Sequence, residues 1–561
     1  MTPKRKSSLG PLVVAMSLSL LLGFGLARAL RAGDDLRSNL DLFSNVLYLV
    51  QQNYVESPDN EKLIKGAIDG MLKTLDPHSV FLPEKRAQQM DEQFHGEYSG
   101  IGVQFEIQEN KIVVISPLEG TPAYRLGIRA GDKIVEIDDK PLKKGINNDD
   151  VFKMLRGPTG STVSVTIERE DEPEHMHFSI ERAKIPIESI PYAYMIRPGV
   201  GYVRIIRFAQ TTGDEFEAAV TKLRGQGMKS LLIDLRSNSG GLLSQAKDVL
   251  DQIIPDNRRL VYTRGRIPSS NADYYATNRP GKWTDGPIVV LVDHGSASAS
   301  EIVSGAVQDL DRGIVAGINT FGKGLVQNQM NLTQGKLLLT IARYYTPSGR
   351  SIQRDYSKFG DQSEYQEDAY REDVPSDSAL QARPKFKTST GRIVYGGGGI
   401  YPDVIIKDPP NLTRPEVELI TKRVGFEFAT HWVTKHPNTQ WKPESFDSRF
   451  TLGEDDWKRL REIATNKKIV MNDSTWTAEK PFLMRQVRAE LASATLGSLE
   501  RYRIAIEDDA QLNAALDLFP RAQQLLAVSA SRRSEPGPVD GPAPTDPRKA
   551  ATAGGKERGD K

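Results

Sequence analysis

The feature that most constrains this chain is a buried strand running into a helix through a turn of small residues, and it occurs twice. Pro287-Ile288-Val289-Val290-Leu291-Val292 is short, apolar and rich in branched residues, the pattern of a buried strand. Beyond it, Ile302, Val303, Ala306, Val307 and Leu310 fall on one helical face. Leu231–Arg236 is a second such strand. It ends in Ser237-Asn238-Ser239-Gly240-Gly241, and a helix over 242–253 is expected to follow. Residues 184–408 alternate strands and helices in this way and are expected to form an α/β domain.

The first turn carries chemistry. Ser298 lies in Gly295-Ser296-Ala297-Ser298-Ala299-Ser300-Glu301, close to the start of the second helix of the pair. Free backbone N–H groups and the positive end of the helix dipole favour an anion there. An acyl-transfer enzyme needs such donors for its oxyanion. A serine hydroxyl is inert until a neighbouring base removes its proton. Lys323, in Gly322-Lys323-Gly324, follows 25 residues later, and a neutral amine can be that base. This Gly-Lys-Gly is no phosphate loop, because no Ser or Thr follows the lysine. Glycines after a strand let the backbone approach a ligand. The N–H of Gly240 or Gly241, with that of Ala299, can therefore form an oxyanion hole. Each piece alone also has a plainer reading: a capped loop, a surface turn, a turn before a helix. Phe321–Gln327 leads into an expected hairpin, whose second strand is Leu337–Tyr344 after a turn at 333–336.

Taken together the pieces resemble the carboxyl-terminal processing peptidases, also called tail-specific proteases. The residues that carry the resemblance are DLRSNSGG (234–241), VLVDHGSASASEIVSGAVQD (290–309), FGKGLVQ (321–327), RYYTPSGRSIQ (343–353) and GIYPD (399–403). It spans roughly residues 40–408, and five ordered motifs are far more specific than any one. The resemblance implies a mixed α/β, crotonase-like serine-protease core. It implies Ser298 as nucleophile, Lys323 as general base and Gln327 as the residue that orients the lysine. It also implies Gly240 and Ala299 as oxyanion donors, with Gly241 the alternative glycine. Ser296 and Ser300 are alternative nucleophiles by composition, but the offset to Lys323 favours Ser298. His294 tempts a Ser-His reading; the family uses no histidine, so it is read as structural. The chain has no cysteine and seven histidines, none in an HExxH pattern, so thiol chemistry is excluded and no metal or cofactor is expected.

Residues 96–183 have their own punctuation. A glycine-containing loop at 98–102 runs into a strand from Val103, and Lys111–Ser116 is another. Leu126–Ile137 gives a turn and a third strand, Asn148–Leu155 a helix, and Ser161–Glu168 a last strand. This order resembles a PDZ domain, inserted here into the protease. Such domains bind a chain end by strand addition, with a backbone nest for the terminal carboxylate. The expected nest is Ser99, Gly100, Ile101 and Gly102. The expected pocket is Ile101, Val103, Val151 and Leu155, which otherwise read as core positions of a small β-domain.

The length suits three to four domains at ~150 residues each. Lys4-Arg5-Lys6 precede an apolar run from Leu9 to Leu26, and Ala27-Arg28-Ala29 offers a small-x-small cleavage site. Residues 1–32 are therefore read as a signal peptide or membrane anchor, and 33–95 as a helical region. Within it, Leu75-Asp76-Pro77-His78-Ser79 resembles the family's N-terminal signature, and His78 is read as a packing or capping residue. The β-domain occupies 96–183 and the protease core 184–408, with a polar, charged insertion at 354–395 expected as a surface loop near the site. Residues 409–530 read as a helical appendage for packing or dimerisation. Residues 531–561 hold five Pro and five Gly with no aromatic residue and are expected to be disordered.

The expected function is a serine endopeptidase that cleaves proteins near their C-termini, in the bacterial envelope (periplasmic or anchored) or secreted. Its expected partners are protein substrates, an adaptor or activator, and further copies of itself. With net charge +1 and no basic stripe, nucleic acid is not expected. Two rivals stand beside this reading: an inactive binding protein of the same fold, as in retinoid-binding relatives, and an envelope scaffold bearing a PDZ domain.

Overall fold

All five residues of the strand Ile288–Val292 are buried. A strand of that kind needs cover on both faces of its sheet, and it has it. The central sheet runs in the order Tyr192–Arg197, Val200–Arg204, Ser230–Asp234, Ile288–Val292, Ile314–Gly317, Val404–Ile405. The first pair is antiparallel and the rest are parallel. Alternate side chains go to opposite faces. Leu231, Ile233, Val290 and Val292 pack with the helices Thr212–Gly225, Leu243–Asp251 and Ala299–Asp309. Leu232, Val289 and Leu291 pack instead with Leu512, Leu516 and Phe519, from the helices Ala510–Leu516 and Phe519–Arg533. Part of the region read as an appendage is thus the second layer of the core.

These coordinates are a computed structural model, which describes residues 35–533 apart from 171, 278–280, 360–361, 372–374, 408–410 and 437–438. The signal or anchor expected at 1–32 lies outside the described residues, and so does the expected tail beyond 533. The chain divides into two compact units, 1–75 and 76–561. In the first, a helix over 35–53 is followed by the helix Asn60–Lys73, whose start is capped by the Asp59 carboxylate accepting from the Glu61 and Lys62 N–H groups.

In the second unit an antiparallel sheet joins Val80–Pro83, Leu325–Leu332, Gly335–Tyr345, Arg259–Gly265 and Ala272–Tyr275. Leu325–Leu332 and Gly335–Tyr345 make the expected hairpin. Its register shifts between Val326 and Gln327, a bulge that re-aims the side chain there. The β-domain is a sheet in the order Val103–Gln108, Lys111–Pro117, Lys133–Ile137, Thr162–Glu168, Met176–Glu181. The helix Asn148–Leu155 closes it. The strand pair Glu97–Gly100 and Ala183–Pro186 joins the domain to the core. A second helical core forms around Phe428, Phe446, Leu460 and Val487. It touches the β-domain through Arg423–Glu106 and His431–Glu170, both 2.9 Å.

The insertion at 354–395 is not a surface loop. It holds the helices Gln362–Arg371 and Asp377–Ala382 and the strand pair Lys385–Lys387 with Ile393–Tyr395. Tyr365, Ala369, Leu380 and Val394 are buried. Its polar composition conceals a few well-spaced apolar anchors.

Candidate active site

Ser298 sits where the buried strand Ile288–Val292 gives way to the helix Ala299–Asp309. Its φ is +54°, a conformation that costs a non-glycine residue energy and that clusters at functional sites. What holds it there is Glu301, three residues on. This carboxylate is completely buried. One oxygen accepts from the Ser298 N–H at 2.8 Å and the Lys323 N–H at 2.9 Å. The other accepts from Thr320 Oγ1 at 2.6 Å and the Gly322 N–H at 2.8 Å. One side chain therefore ties the serine turn to the lysine loop. Burial pushes the Glu301 carboxyl up, and the four donated hydrogen bonds oppose that. Tyr344 adds a second tie: its hydroxyl lies 3.0 Å from the Ser298 carbonyl oxygen and 2.6 Å from that of Lys323.

Lys323 and Ser298 line one cavity of about 430 Å³, together with Gly240, Gly241, Phe208 and Gln327. The lysine amine donates to Gln327 Oε1 at 2.8 Å, and Gln327 Nε2 donates to the His78 carbonyl at 2.6 Å. The bulge beside Gln327 turns it to this task. Among the described residues Ser298 Oγ makes no hydrogen bond; catalytic contacts of this kind often close only when substrate is bound. Burial pulls the lysine below its ordinary range, against the opposing charges of Glu301 and Asp76. His78, also desolvated and close to Lys323, is pulled down to about 4.

Gly240 comes so close to the serine turn that a Cβ on it would lie 2.7 Å from Ser298 Cβ and 2.9 Å from Ala299 N. Its own N–H donates to Asn238 Oδ1 at 2.9 Å. The N–H groups of Gly241 and Ala299 have no partner among the described residues. Of the other serines, Ser296 hydrogen-bonds the Leu235 carbonyl at 2.8 Å and Ser300 that of Asn238 at 2.8 Å, so both are structural ties. No group of three or more potential metal ligands converges among the described residues.

In the β-domain, Ser99 and Gly100 belong to the joining strand pair. Gly102 turns the chain at φ +81°, a position where a Cβ would overlap Thr121. Ile101, Val151 and Leu155 are buried in the domain core and Val103 packs against it. Val103 opens a strand at the sheet edge, paired on one side only. Phe105 and Phe152 meet edge to face, with ring centroids 5.6 Å apart, across the gap to the helix Asn148–Leu155.

Sequence reasoning passed over Glu301 and Tyr344, and gave His78 only a packing or capping role. The signal for Glu301 was available: Ser-x-x-Glu at the start of a helix is a capping pattern. The others act across long sequence separations and leave no local signature.

Residues 199–358 match the model of peptidase family S41, residues 113–169 a PDZ domain, and residues 27–86 the N-terminal domain of the activating protease CtpB. A carboxy-terminal-processing protease of Bartonella bacilliformis is 40% identical over 317 residues, which is 55% of this chain and 72% of that one. The carboxy-terminal processing protease CtpB of Bacillus subtilis is 33% identical over 322 residues, 56% of this chain and 66% of its own. Among solved structures, a photosystem II D1 C-terminal processing protease is 27% identical and covers 65% of this chain and 92% of its own, with a TM-score of 0.34. Motifs, layered α/β core, inserted PDZ domain and relatives agree: the chain belongs to the carboxy-terminal processing proteases of peptidase family S41 and is a serine-type peptidase.

Proposed function

We propose that this peptidase works through a Ser298–Lys323 dyad and cuts proteins near their C-termini, with the PDZ domain choosing the end. The observation that carries the dyad is the half-buried lysine, its amine held by Gln327, in the cavity of a serine at positive φ. Ser298 Oγ attacks the scissile carbonyl carbon as its proton passes to the neutral Lys323 amine. The N–H groups of Gly241 and Ala299 receive the developing oxyanion, while Gly240 shapes the turn. On collapse the C–N bond breaks and the lysine ammonium returns the proton to the leaving amine. Water then attacks the acyl-enzyme, again giving a proton to Lys323, and the proton returns to Ser298 Oγ as the new carboxylate product departs. Gln327 keeps the amine aimed throughout.

Substrate selection rests on the stretch Ser99–Gly102, which leaves the joining strand pair at Gly100, and on the half-free edge from Val103, beside the helix that bears Val151 and Leu155. An extended chain end adds to that edge, its carboxylate meeting the backbone of that stretch. The leader-like segment ahead of residue 33 supports work in the cell envelope. A casein or tagged-peptide assay of Ser298→Ala and Lys323→Ala is the test. Both are expected to be inactive with unchanged thermal unfolding. Turnover near that of the unsubstituted enzyme in either variant overturns the dyad.

A further inference from the structure

The insertion reaches the general base. Gly322 and Gly324, on either side of Lys323, are each held from the segment that opens the insertion. The Arg354 N–H donates to the Gly322 carbonyl at 2.9 Å, and Arg354 Nε donates to that of Phe321 at 3.1 Å. The Gly324 N–H donates to Gln353 Oε1 at 2.9 Å. Both holders are held in turn by the helix Gln362–Arg371. Asp368 pairs with Arg354 at 3.1 Å, and the Tyr365 hydroxyl accepts from Gln353 Nε2 at 3.2 Å. The Tyr365 ring is only 1% exposed. It packs edge to face on Phe321, centroids 5.7 Å apart, and on His78, 5.5 Å apart. Ala297, next to the nucleophile, belongs to the same apolar cluster.

We propose that the helix Gln362–Arg371 is a clamp on the catalytic lysine, with Tyr365 and Asp368 as positioning residues for Lys323. Through Gln353 and Arg354 they fix the backbone on both sides of the base. Through Phe321 and His78 the Tyr365 ring closes the wall behind it. This rests on the reading that Lys323 is the general base. Several ionisable groups face the lysine. Glu301 and Asp76 favour its charged form, and burial opposes them. His78, at about 4, is neutral wherever the lysine is. Tyr344 and Tyr365 are pushed up by burial and stay neutral as well. On that reading a rise of rate with pH in the neutral to alkaline range is assigned to Lys323. Opening the wall admits water, stabilises the ammonium, and moves that rise to higher pH.

The experiment is the kcat–pH profile of the full-length enzyme on a tagged peptide, for Tyr365→Ala, Tyr365→Phe and Asp368→Ala. Tyr365→Ala is expected to lower kcat at neutral pH by about 10- to 100-fold, the scale of a misplaced catalytic group. It should leave KM within about twofold and displace the acid limb to higher pH. Tyr365→Phe keeps the ring against Phe321 and His78 but loses the hydroxyl that accepts from Gln353, and is expected to displace the limb in the same direction by less than Tyr365→Ala. Asp368 is a half-exposed side chain, so its loss is tolerated by the fold, and Asp368→Ala is expected to displace the limb in the same direction. An unmoved limb in a folded Tyr365→Ala, or in Asp368→Ala if Tyr365→Ala does not fold, overturns the clamp. Lys323→Ala, assayed alongside, separates the two ideas. If it is inactive while the limbs stay put, only the clamp fails. If it keeps a pH-dependent rate, the reading of the base fails.

Discussion

The catalytic turn and the PDZ domain solve opposite problems of placement. Around Ser298 and Lys323 position is set by buried polar atoms: Glu301 takes four hydrogen bonds, Tyr344 spans two carbonyls, and Gln327 bridges to His78. In the PDZ domain Ile112, Val114, Val151, Leu155 and Val165 do the work by packing, and one strand edge is left half-paired. Directional bonds define one geometry and fail sharply when one member is lost. Packed apolar side chains tolerate change by degrees. The first suits the proton transfer proposed for Ser298 and Lys323, and the second the chain-end binding proposed for the PDZ domain.

That contrast can be broken in four places. Lys323→Arg keeps the positive charge but cannot serve as a base. It is expected to lower kcat by about 10⁴-fold or more, as for loss of a dyad member, and single-turnover assays read it. Leu155→Ala is expected to destabilise the PDZ domain by about 2–5 kcal/mol. Cleavage of a short peptide that does not use the domain should persist at nearly the original kcat. Equal loss on short and long substrates would erase the distinction between the two regions. Glu301→Gln puts an NH2 where two N–H donors converge, and about a 10²-fold fall in kcat is expected from the displaced turn. If Glu301→Gln is fully active, polar bracing is not what fixes the site.

The smallest effect concerns the substrate. Amidating its C-terminus removes a charge-assisted hydrogen bond, and about a tenfold rise in KM with unchanged kcat is expected. Equal KM for both forms would mean that the stretch Ser99–Gly102 does not read the carboxylate. The pH dependence has a fixed sign. Because burial lowers the Lys323 pKa, the neutral amine, and with it the rate, grows as pH rises through that lowered value. Activity is lost on the acid side, and a flat profile between pH 5 and 9 would contradict the assignment.

The sequence made the strand–turn–helix units legible because their signals are local: apolar runs, small residues at the turn, helical spacing after it. Ser298 and Lys323 stood out on those signals, and the order of five motifs did the rest. The helices that cover Leu232, Val289 and Leu291 were not legible. Strand alternation announces that a second face is apolar, but not which distant segment covers it. Tyr365 was hidden for a related reason, lying among charged residues that outweigh it in composition. Gln327 could be named from the family pattern. The bulge that aims it comes from pairing with the strand Gly335–Tyr345, and no single stretch of sequence encodes that.

The closing of the central sheet by its last helices has a consequence for how the protein is born. Synthesis runs from the N-terminus, and Ser298 and Lys323 emerge long before Leu512, Leu516 and Phe519. Until those arrive, one face of the sheet around Leu232 and Leu291 is bare, so the nascent chain carries its catalytic groups on an unfinished scaffold. A chain stalled or truncated before Ser498 should be digested by an added protease within the central strands, and resistance there would mean that the front layer folds without its back.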